Sequence, residues 1–516
     1  MNKKHDILTA NQAVAKIAYK TNEVFPIYPI TPASEMSELV EELSAKNQPN
    51  VFGSTPTVIQ MQSEAGVAGT MHGALQTGSL SATFTSSQGL LLMLPNMYKI
   101  AGELTPNVIH VATRSIATHA LSIFGDHSDV MAIRQSGYAM LASASVQEAQ
   151  DFALITQTAT LQSLIPFVHF FDGFRTSHET ARIETISDIV IQSMINQKNI
   201  KTHRNRSLNP DNPTIKGTSQ GPDVFFQSRE AINTFYDQCP DIVNNTMEKF
   251  ASLTGRQYKL FDYEGHLKAE HIIISMASST ETIEETINQL NEQGEKLGLI
   301  KVRLFRPFST KYLIEALPKS VKSIAVLDRT KEPGSTGEPL YLDILQSISN
   351  AFQNNLINTF PRVVGGRYGL SSKEFTPSMV KAIFNNIKQE LPKNNFTIGI
   401  NDDVKSLSLD VLENIQLKNT IYQALFYQEK TNSSTNDFSE VLKTIGETNF
   451  VQGYNEYDYK KTNSRQVAHL RINNKPIKAP YLIDQADFIA CQNINFIIQD
   501  NVLHLLKPKG IILVSS

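Results

Sequence analysis

The feature that most constrains the fold is a set of short, almost continuously apolar runs separated by helical patterns. Three of these runs are HIIISMA at 271–277, IKVRLFRPF at 300–308 and VKSIAVLDRT at 321–330. Strands buried on both faces of a parallel sheet have this composition, because helices cover the sheet on each side. The amphipathic stretch TETIEETINQLNEQGEKLG separates the first two runs. The pattern therefore predicts an α/β fold built on doubly wound sheets.

With 516 residues the chain is too long for a single core, and its character changes along its length. Residues 1–255 alternate strand and helix patterns. They include a linker at 203–228, rich in Pro, Asn, Gly and Ser, which we interpret as strapped over a surface. The α/β pattern returns over 256–415, and a third segment occupies 416–516. We therefore expect three domains with boundaries near residues 255 and 415.

The third segment has the pattern of a domain that is incomplete. NINFIIQD at 493–500 and KGIILVSS at 509–516 predict two buried strands, and the second ends at the last residue of the sequence. A sheet of this kind should continue beyond one barely closed strand. We therefore expect a truncated reading frame, or the remnant of a longer protein.

Charge and cysteine content exclude several functional classes. The formal net charge of −3 and the pI near 6.5 do not favour binding to nucleic acid or to an anionic membrane surface. No run reaches the ~18 apolar residues of a membrane span, and the first 20 residues lack the apolar core of a signal peptide. The two cysteines, Cys239 and Cys491, fit a reducing cytoplasm. They are too few for a cysteine-ligated iron–sulfur cluster from this chain alone, which needs about four thiolates.

A strand end meets a helix start in VFPIYPITPASEMSELVEEL, residues 24–43. The prolines favour an extended chain up to Ile30, and Thr31 followed by Pro32 predicts an N-cap and a first helical residue. Apolar residues then recur at helical spacing, at positions 36, 39, 40 and 43. Open α/β sheets bind anionic ligands at such junctions. A purely structural capping role for Thr31 remains the alternative.

Polar side chains follow three more predicted strands. Glu64 opens a helix after TVIQMQ, Thr85, Ser86 and Ser87 follow ATF, and Arg114 ends NVIHVATR. A carboxylate at a helix start is favoured by the helix dipole, and most arginines at strand ends are only solvated. Four consecutive strand ends with polar groups nevertheless indicate a ligand site, in which Arg114 could hold a carboxylate.

Three weaker candidates have structural explanations. The histidines at 110, 119, 127, 169 and 178 lie close in sequence, and GDHSD adds Asp126 and Asp129. No zinc-like spacing is present, so we expect packed or hydrogen-bonded histidines rather than a metal site. The acidic helix near 280–296 is interpreted as a solvated face. GSTGEP at 334–339 lacks the order of a phosphate-binding loop, and a tight turn is expected there.

Longer motifs carry a resemblance to a known family. Residues 5–400 contain the motifs YPITPASEM, MQSEAG, FTSSQGLLLM, THALSIFGDHSDVMA, PFVHFFDGFRTSHE, LDRTKEPGSTGEPLYLD and GGRYGLSSKEFTP. They resemble the first two domains of pyruvate:ferredoxin (flavodoxin) oxidoreductases. QGYNEYDYKKTNS and HLRINNKPIKAPYLI extend the resemblance into the start of the third domain. The resemblance implies a pyrimidine-side thiamine-diphosphate domain, a transketolase C-terminal-like domain and a partial gamma-like catalytic domain.

The resemblance also implies roles for individual residues. Glu64 corresponds to the glutamate that faces the aminopyrimidine ring of thiamine diphosphate, with Thr85, Ser86 and Ser87 beside the cofactor. Arg114 corresponds to the arginine that binds the carboxylate of pyruvate, and Thr31 to a contact near that carboxylate. A carboxylic acid at the pyrimidine ring favours the reactive tautomer of the cofactor, so the role given to Glu64 is chemically reasonable. No residue is assigned to a metal.

The sequence departs from the family in three ways. The GDG…N motif that binds magnesium and diphosphate is absent, as is the ferredoxin-like cluster domain. ALFYQEKTNSSTNDFSE stands where the family has a glycine-rich loop, so coenzyme A binding is doubtful. The missing domains or subunits would have to supply magnesium and the iron–sulfur clusters.

The resemblance implies oxidative decarboxylation of pyruvate or a related 2-oxoacid to an acyl-CoA, with ferredoxin or flavodoxin as acceptor, in a homodimer. Two alternatives remain open. The chain could be a catalytically inert remnant or assembly module, or it could belong to a fusion that uses a flavin or NADPH acceptor.

Overall fold

The computed structural model describes residues 4–412, 415, 417, 421–429, 432–457 and 465–515. Its strands are β1 (His5–Thr9), β2 (Val24–Ile27), β3 (Thr57–Gln60), β4 (Ala82–Thr85), β5 (Val108–Thr113), β6 (Ala139–Ser143), β7 (Phe167–Asp172), β8 (Thr180–Glu184), β9 (Phe261–Gly265), β10 (His271–Met276), β11 (Leu297–Val302), β12 (Leu304–Arg306), β13 (Ser323–Asp328), β14 (Arg362–Arg367), β15 (Phe396–Thr397), β16 (Tyr422–Glu429), β17 (Phe450–Tyr457), β18 (Arg465–Asn473), β19 (Ala486–Cys491) and β20 (Leu506–Val514).

Its α-helices are α1 (Ala10–Thr21), α2 (Ser34–Ala45), α3 (Glu64–Gln76), α4 (Ser87–Gly102), α5 (Ser128–Ala132), α6 (Val146–Ser163), α7 (Asp188–Met194), α8 (Gln197–Asn205), α9 (Pro222–Ala231), α10 (Asn233–Thr254), α11 (Ser279–Glu292), α12 (Thr310–Ala316), α13 (Pro339–Gln353), α14 (Pro377–Ile387), α15 (Asn432–Gly446) and α16 (Ile494–Gln499). Val502–Leu505 forms a short 3-10 turn, and Leu370–Ser372 forms a tight turn in which Ser371 and Ser372 have positive φ. In the described part of the chain, every helix is too short or too polar to cross a bilayer.

The first sheet is parallel except for the pair of β12 with β6. Its order is β12-β6-β7-β5-β4, and the parallel pair β2-β3 joins it through a bridge between Val24 and Ser81. All residues of β4, β5, β6 and β7 are buried. The helices α1, α4 and α6 also have many buried residues. This arrangement confirms the expected α/β fold, and it brings the carboxyl ends of these strands to one edge.

The second sheet has the order β15-β14-β13-β10-β11-β9, and all its pairs are parallel except β11 with β9. The three apolar runs of the sequence form β10, β11 with β12, and β13, so these strand predictions are confirmed. One buried apolar cluster extends from Leu8 to Ile348. The first and second sheets therefore share a hydrophobic core.

The third sheet crosses the expected domain boundaries. Its order is β1-β8-β17-β18-β16-β19-β20, so two strands from the first 184 residues pair into a sheet made otherwise by the last part of the chain. We call the predicted domains 1–255 and 256–415 the first and second regions. β12 belongs to the second region but pairs antiparallel with β6 of the first. The boundaries near residues 255 and 415 remain predictions, and sheet membership alone does not define them.

The two strands predicted near the end of the chain have different outcomes. NINFIIQD is wrong as a strand, because it forms α16, whose N-cap Asn493 accepts a hydrogen bond from the backbone N–H of Asn495. Ile494 and Ile498, four residues apart, are both exposed on this helix. Residues 509–514 of this segment lie on β20 as predicted, but β20 is the last strand of its sheet among the described residues, and Ile511 and Leu513 are more than 60% exposed. The expectation that it is buried is wrong.

The acidic helix α11 is not the solvated face expected from its composition. Glu281 and Glu284 are less than 10% exposed. Lys301 Nζ lies 2.5 Å from Glu284 Oε2 and 3.4 Å from Glu281 Oε1, and Lys478 pairs with the other oxygen of Glu284. The carboxylates are buried because α11 packs between lysines from two distant parts of the chain.

The linker at 203–228 is largely exposed. Lys216 Nζ donates to Gln76 Oε1 at 2.8 Å, which attaches one point of it to the end of α3. The side chains from Asn209 to Ala231 are nevertheless exposed throughout, including Phe225 and Phe226 on α9. The interpretation of this segment as a linker over the surface therefore stays a prediction.

Candidate active site

The carboxyl edge of the first sheet collects the residues that the sequence singled out. Because β2, β3, β4 and β5 run parallel, the segments that follow them lie at the same edge. Thr31 follows β2, Glu64 follows β3, Ser86 and Ser87 follow β4, and Arg114 follows β5. Thr85 is itself the last residue of β4. All six predicted site residues therefore lie at one edge of the first sheet.

Thr31 is not the N-cap of α2, so that expectation is wrong. The N-cap is Ala33, without a side-chain cap, and the helix begins at Ser34. A turn closed by the hydrogen bond from Ala33 N to the carbonyl oxygen of Ile30 delays the helix start. Thr31 is exposed, and its carbonyl oxygen accepts a hydrogen bond of 3.0 Å from Arg114 Nη1. The residue thus contacts Arg114 through its backbone.

Arg114 is held at both its backbone and its guanidinium. Its N–H donates to Asp129 Oδ2 at 2.9 Å, and Nη1 donates to the Thr31 carbonyl. The side chain is 9% exposed, and its buried Nε has no hydrogen-bond partner in the described part of the chain. Burial lowers the pKa of Arg114, and the Asp129 charge opposes that shift. A guanidinium with an unused donor in this position can receive an anionic ligand.

Glu64 is the first residue of α3, next to the N-cap Ser63, whose hydroxyl accepts from Gly66 N. Its carboxylate is 5% exposed and lies against the first turn of α4. A Cβ atom on Gly89 would lie 2.5 Å from Glu64 Oε1 and 2.7 Å from Thr85 Oγ1. Gly89 therefore leaves the space in which the Glu64 carboxylate and the Thr85 hydroxyl approach each other.

The hydroxyls of Thr85, Ser86 and Ser87 differ in how they are used. Ser86 Oγ donates to the carbonyl oxygen of Ala112, and Ser87 Oγ donates to that of Ser115, both at 2.7 Å. The buried Thr85 Oγ1 has no partner among the described residues. The two serines hold the end of β5, whereas Thr85 keeps a polar atom available for a ligand.

Two buried carboxylates that sequence reasoning did not assign organise this edge. Asp129 Oδ2 accepts from the N–H groups of Ser87 and Arg114, at 2.8 and 2.9 Å, and ties the end of β4 to the end of β5. Burial raises the pKa of Asp129 to about 7, although the N–H bonds from Arg114 and Ser87 oppose that rise. The contact joins residues 42 positions apart, so only the strand order could have indicated it.

Asp172, at the end of β7, joins the first and second regions. Its Oδ1 lies 2.7 Å from His127 Nε2 and 2.9 Å from Arg329 Nη1, and its Oδ2 accepts from Ser278 N at 2.9 Å. Burial alone would raise the pKa of Asp172, but Arg329 and His127 hold it well below its usual value. An aspartate closing the buried run FVHFFD was the sequence signal for this role.

The clustered histidines are packed and hydrogen-bonded, as expected. His110 and His169 face each other through their Nδ1 atoms at 3.0 Å, and His169 Nε2 contacts Ser143 Oγ at 2.7 Å. His178 is bonded to Ser177 and stacked on Phe174. Among the described residues, no group of three or more side chains of the metal-binding types lies close enough to hold an ion.

Three family models match the chain in order. Residues 16–248 match pyruvate flavodoxin/ferredoxin oxidoreductase, thiamine diphosphate-binding. Residues 269–371 match pyruvate:ferredoxin oxidoreductase core domain II, and residues 438–516 match pyruvate ferredoxin/flavodoxin oxidoreductase. The chain thus carries the thiamine-diphosphate-binding domain of this family.

Curated relatives agree with the family models. A pyruvate-flavodoxin oxidoreductase of a Nostoc species is 52% identical over 519 residues, which cover 99% of this chain and 43% of that protein. The pyruvate:ferredoxin oxidoreductase of Moorella thermoacetica is 53% identical over 513 residues, with coverage of 99% and 43%. A pyruvate-flavodoxin oxidoreductase of a second Nostoc strain is 57% identical over 403 residues, covering 78% of this chain and 98% of that protein.

The fold has a solved counterpart. The 2-oxoglutarate:ferredoxin oxidoreductase from Magnetococcus marinus, with 2-oxoglutarate, coenzyme A and succinyl-CoA bound, matches with a TM-score of 0.54 at 19% identity. The match covers 75% of this chain and 65% of that chain, and it supports the fold alone. The chain spans only 43% of the length of the longer relatives. The motif resemblance is nevertheless confirmed by the models and the identities, and the chain belongs to the pyruvate:ferredoxin/flavodoxin oxidoreductase family.

Proposed function

We propose that this chain forms the pyrimidine-side and substrate-binding part of a 2-oxoacid:ferredoxin or flavodoxin oxidoreductase that converts pyruvate to an acyl-CoA. The observation that carries the proposal is the unused buried polar atoms, Thr85 Oγ1 and Arg114 Nε, at the edge that also holds Glu64. Buried donors and acceptors without partners are uncommon in folded proteins, and a ligand is one way to satisfy them. Since the chain spans 43% of its longer relatives, the whole activity belongs to the proposal.

The residues fit the aminopyrimidine side of thiamine diphosphate. Glu64 is the group we assign to the ring, because its buried carboxylate lies at the Gly89 gap beside the Thr85 hydroxyl, which has no partner among the described residues. In this position Glu64 Oε1 would hold a proton against a ring nitrogen, and Thr85 Oγ1 would add a hydrogen bond. Ser86 and Ser87 would contribute by keeping the end of β5 in place, since their hydroxyls are bonded to carbonyl oxygens. Bound thiamine diphosphate supplies the carbon nucleophile and the electron sink for decarboxylation.

Arg114 is the group we assign to the substrate carboxylate. Its bond to the Thr31 carbonyl turns the guanidinium toward the segment before α2, while Nε remains free among the described residues. A planar guanidinium can bind a carboxylate through two parallel hydrogen bonds. The exposed Thr31 hydroxyl lies in the same segment and would contact the same end of the substrate.

The remaining parts of the reaction are assigned to other segments or chains of the assembled enzyme. Magnesium and the diphosphate would be held outside the described residues, which offer no cluster of metal ligands. The iron–sulfur clusters would also be held by other segments or chains, since a cluster needs about four thiolates and Cys239 and Cys491 are both buried. Unpaired thiols also support a cytoplasmic location. The homodimer, coenzyme A binding and the identity of the electron acceptor follow from the family alone.

Calorimetry and steady-state assays test the proposal. Titration of the chain with thiamine diphosphate and magnesium should show binding that Glu64→Ala weakens at least tenfold. Glu38→Ala, on the exposed side of α2, is the control and should leave binding unchanged. In the enzyme assembled with its remaining domains, pyruvate-dependent dye reduction should require Glu64. Unchanged dye reduction in the Glu64→Ala enzyme would show that the catalytic assignment is wrong.

A further inference from the structure

The loop that follows Arg114 is closed on itself by hydrogen bonds. Ser115 N and Ser115 Oγ both donate to the carbonyl oxygen of Phe124, at 3.0 and 2.9 Å. Ser115 Oγ also contacts Asp126 Oδ2 at 2.6 Å. The far end of the loop, at residues 124–126, is thus bonded directly to the residue next to Arg114.

The same far end is held by a turn in the second region. Gly125 N donates to Ser372 Oγ at 2.9 Å, and Ser372 N donates to the Gly125 carbonyl at 2.8 Å. Ser371 N contacts Asp126 Oδ2 at 3.3 Å, and the Ser371 and Ser122 hydroxyls are bonded to each other. Two adjacent serines, Ser371 and Ser372, therefore bind the loop through both backbone and side chain.

The backbone of this turn is unusual. Ser371 and Ser372 have φ values of +54° and +55°, in the left-handed region that side chains other than glycine rarely adopt. Such residues persist where the surroundings determine their geometry, and they concentrate at functional sites. Here the determining contacts are the bonds to Gly125, Asp126 and Ser122.

The loop has little freedom to absorb a displacement at this point. A Cβ atom on Gly125 would lie 2.6 Å from the carbonyl oxygen of Gly173 and 3.2 Å from that of Thr113. Gly125 is therefore wedged between the ends of β5 and β7. A shift of Gly125 would be passed to Thr113 and to the next residue, Arg114.

We propose that the Leu370–Ser372 turn is a clasp, in which Ser371 and Ser372 act as positioning residues for Arg114 through the 115–127 loop. The inference rests on the proposed function, because it assigns the clasp an effect on binding of the 2-oxoacid carboxylate. The clasp lies in the second region, so this region contributes to substrate recognition without touching the substrate.

Ser372→Gly is the sharpest variant. Glycine adopts a left-handed φ without strain, so a turn with only a structural role should be at least as stable after the change. Gly125 N would lose its hydrogen bond to the Ser372 hydroxyl, so the 115–127 loop should be held less tightly by the clasp. Ser320→Gly is the control, since it removes a serine hydroxyl bonded elsewhere in the second region, where Ser320 Oγ donates to the carbonyl oxygen of Ala269 at 2.8 Å.

Hydrogen exchange on the chain itself tests the contact. In Ser372→Gly, amides of residues 116–126 should exchange at least tenfold faster, with the thermal midpoint unchanged, while Ser320→Gly should leave them as in the parent chain. Equal exchange in the Ser372 variant and the parent would overturn the clasp, whatever reaction the enzyme catalyses.

Kinetics of the assembled enzyme test the consequence. Ser372→Gly should raise the KM for pyruvate five- to tenfold, with kcat within twofold and thiamine diphosphate binding unchanged. Faster exchange with an unaltered KM would refute the positioning role. If the parent enzyme does not oxidise pyruvate at all, the proposed function fails, and with it the effect on the substrate. The exchange result would then still decide whether the contact exists.

Discussion

Asp172 Oδ1 lies 2.9 Å from Arg329 Nη1, and neither side chain is more than 7% exposed. The pair links the last residue of β7 in the first sheet to the residue after β13 in the second. His127, which lies in the loop that follows Arg114, contacts the same Asp172 oxygen. One buried carboxylate thus joins the proposed active-site edge to the second sheet, and the first prediction concerns its replacement by asparagine.

Asp172→Asn should destabilise the chain by about 3–5 kcal/mol, because it leaves Arg329 buried without its counter-charge. The measurement is urea unfolding at pH 7. Glu332→Gln is the control, since the Arg134–Glu332 pair also bridges the two regions at 3.0 Å but is partly exposed. The control substitution should lower the free energy of unfolding by less than about 1 kcal/mol. Equal losses in the two variants would contradict the role given to Asp172.

The pH dependence of this pair has a definite sign. The pKa of Asp172 is well below its usual value in the folded chain, so the carboxylate is charged in both states at neutral pH. Its stabilisation is present above the pKa of the unfolded chain, about 4, and is lost only as the pH falls through the folded value. Titration of the Asp172 carboxylate itself should therefore add no pH dependence to the stability difference between parent and Asp172→Asn above about pH 5.

Gly89→Ala should displace the Glu64 carboxylate. The added Cβ would lie 2.5 Å from Glu64 Oε1 and 2.7 Å from Thr85 Oγ1, so both groups must move. We expect a destabilisation of about 1–3 kcal/mol and at least tenfold weaker binding of thiamine diphosphate, measured by unfolding and calorimetry.

Gly69→Ala is the matched control for that substitution. Gly69 lies inside α3, and a Cβ there would have no neighbour within 4 Å. Alanine at an open helical position should stabilise by about 0.5–1 kcal/mol and leave binding unchanged. If the Gly89→Ala chain bound thiamine diphosphate with the same affinity as the Gly69→Ala control, Glu64 would not be the cofactor contact that we propose.

The fold, and the placement of the predicted residues at one edge of the first sheet, could be predicted because both depend on local pattern. Continuous apolar runs indicated parallel strands, and parallel strands necessarily bring Glu64 and Arg114 to one edge. The N-cap prediction for Thr31 failed because the turn at Ile30–Ala33 moves the helix start by two residues, from Pro32 to Ser34. NINFIIQD failed because a short apolar run fits a strand and a helix equally well.

Long-range contacts account for most of what the sequence could not indicate. The sequence predicted a solvated carboxylate at Glu284, but the residue pairs with Lys478, which is 194 residues away in the chain. The bond from Ser87 N to Asp129 spans 42 residues. No periodicity within a single helix or strand encodes such pairs, because they depend on how separate elements pack.

Lys301→Met should destabilise the chain by about 3–5 kcal/mol, because it leaves Glu281 and Glu284 buried with less counter-charge. Lys322→Met is the control. Lys322 pairs with Glu270 at the surface, and we expect almost no change in unfolding free energy there. Replacing Lys301, Glu281 and Glu284 together by apolar residues should recover most of the loss. A triple variant as unstable as Lys301→Met would show that packing, rather than unpaired charge, sets the cost.

Asp129→Asn tests the carboxylate that joins Ser87 to Arg114. Burial raises the pKa of Asp129 to about 7, so the folded chain retains a proton that the unfolded chain releases near pH 4. The folded state therefore binds more protons between these values, and the contribution of Asp129 to stability is full below pH 4 and declines as the pH rises toward 7. Asparagine does not titrate and should abolish this decline.

The measurement is urea unfolding of parent and variant at pH 5.0, 6.0 and 7.0. The parent should lose stability relative to Asp129→Asn by about 1.4 kcal/mol per pH unit across this interval. Asp6→Asn, at an exposed pair with Lys16, is the control and should follow the parent. A constant difference between parent and variant would mean that Asp129 is ionised throughout, held as a carboxylate by the N–H groups of Ser87, Arg114 and Val130. In that case the edge carries a fixed negative charge behind Arg114, and the carboxylate of the proposed 2-oxoacid substrate would meet a guanidinium that is already partly neutralised.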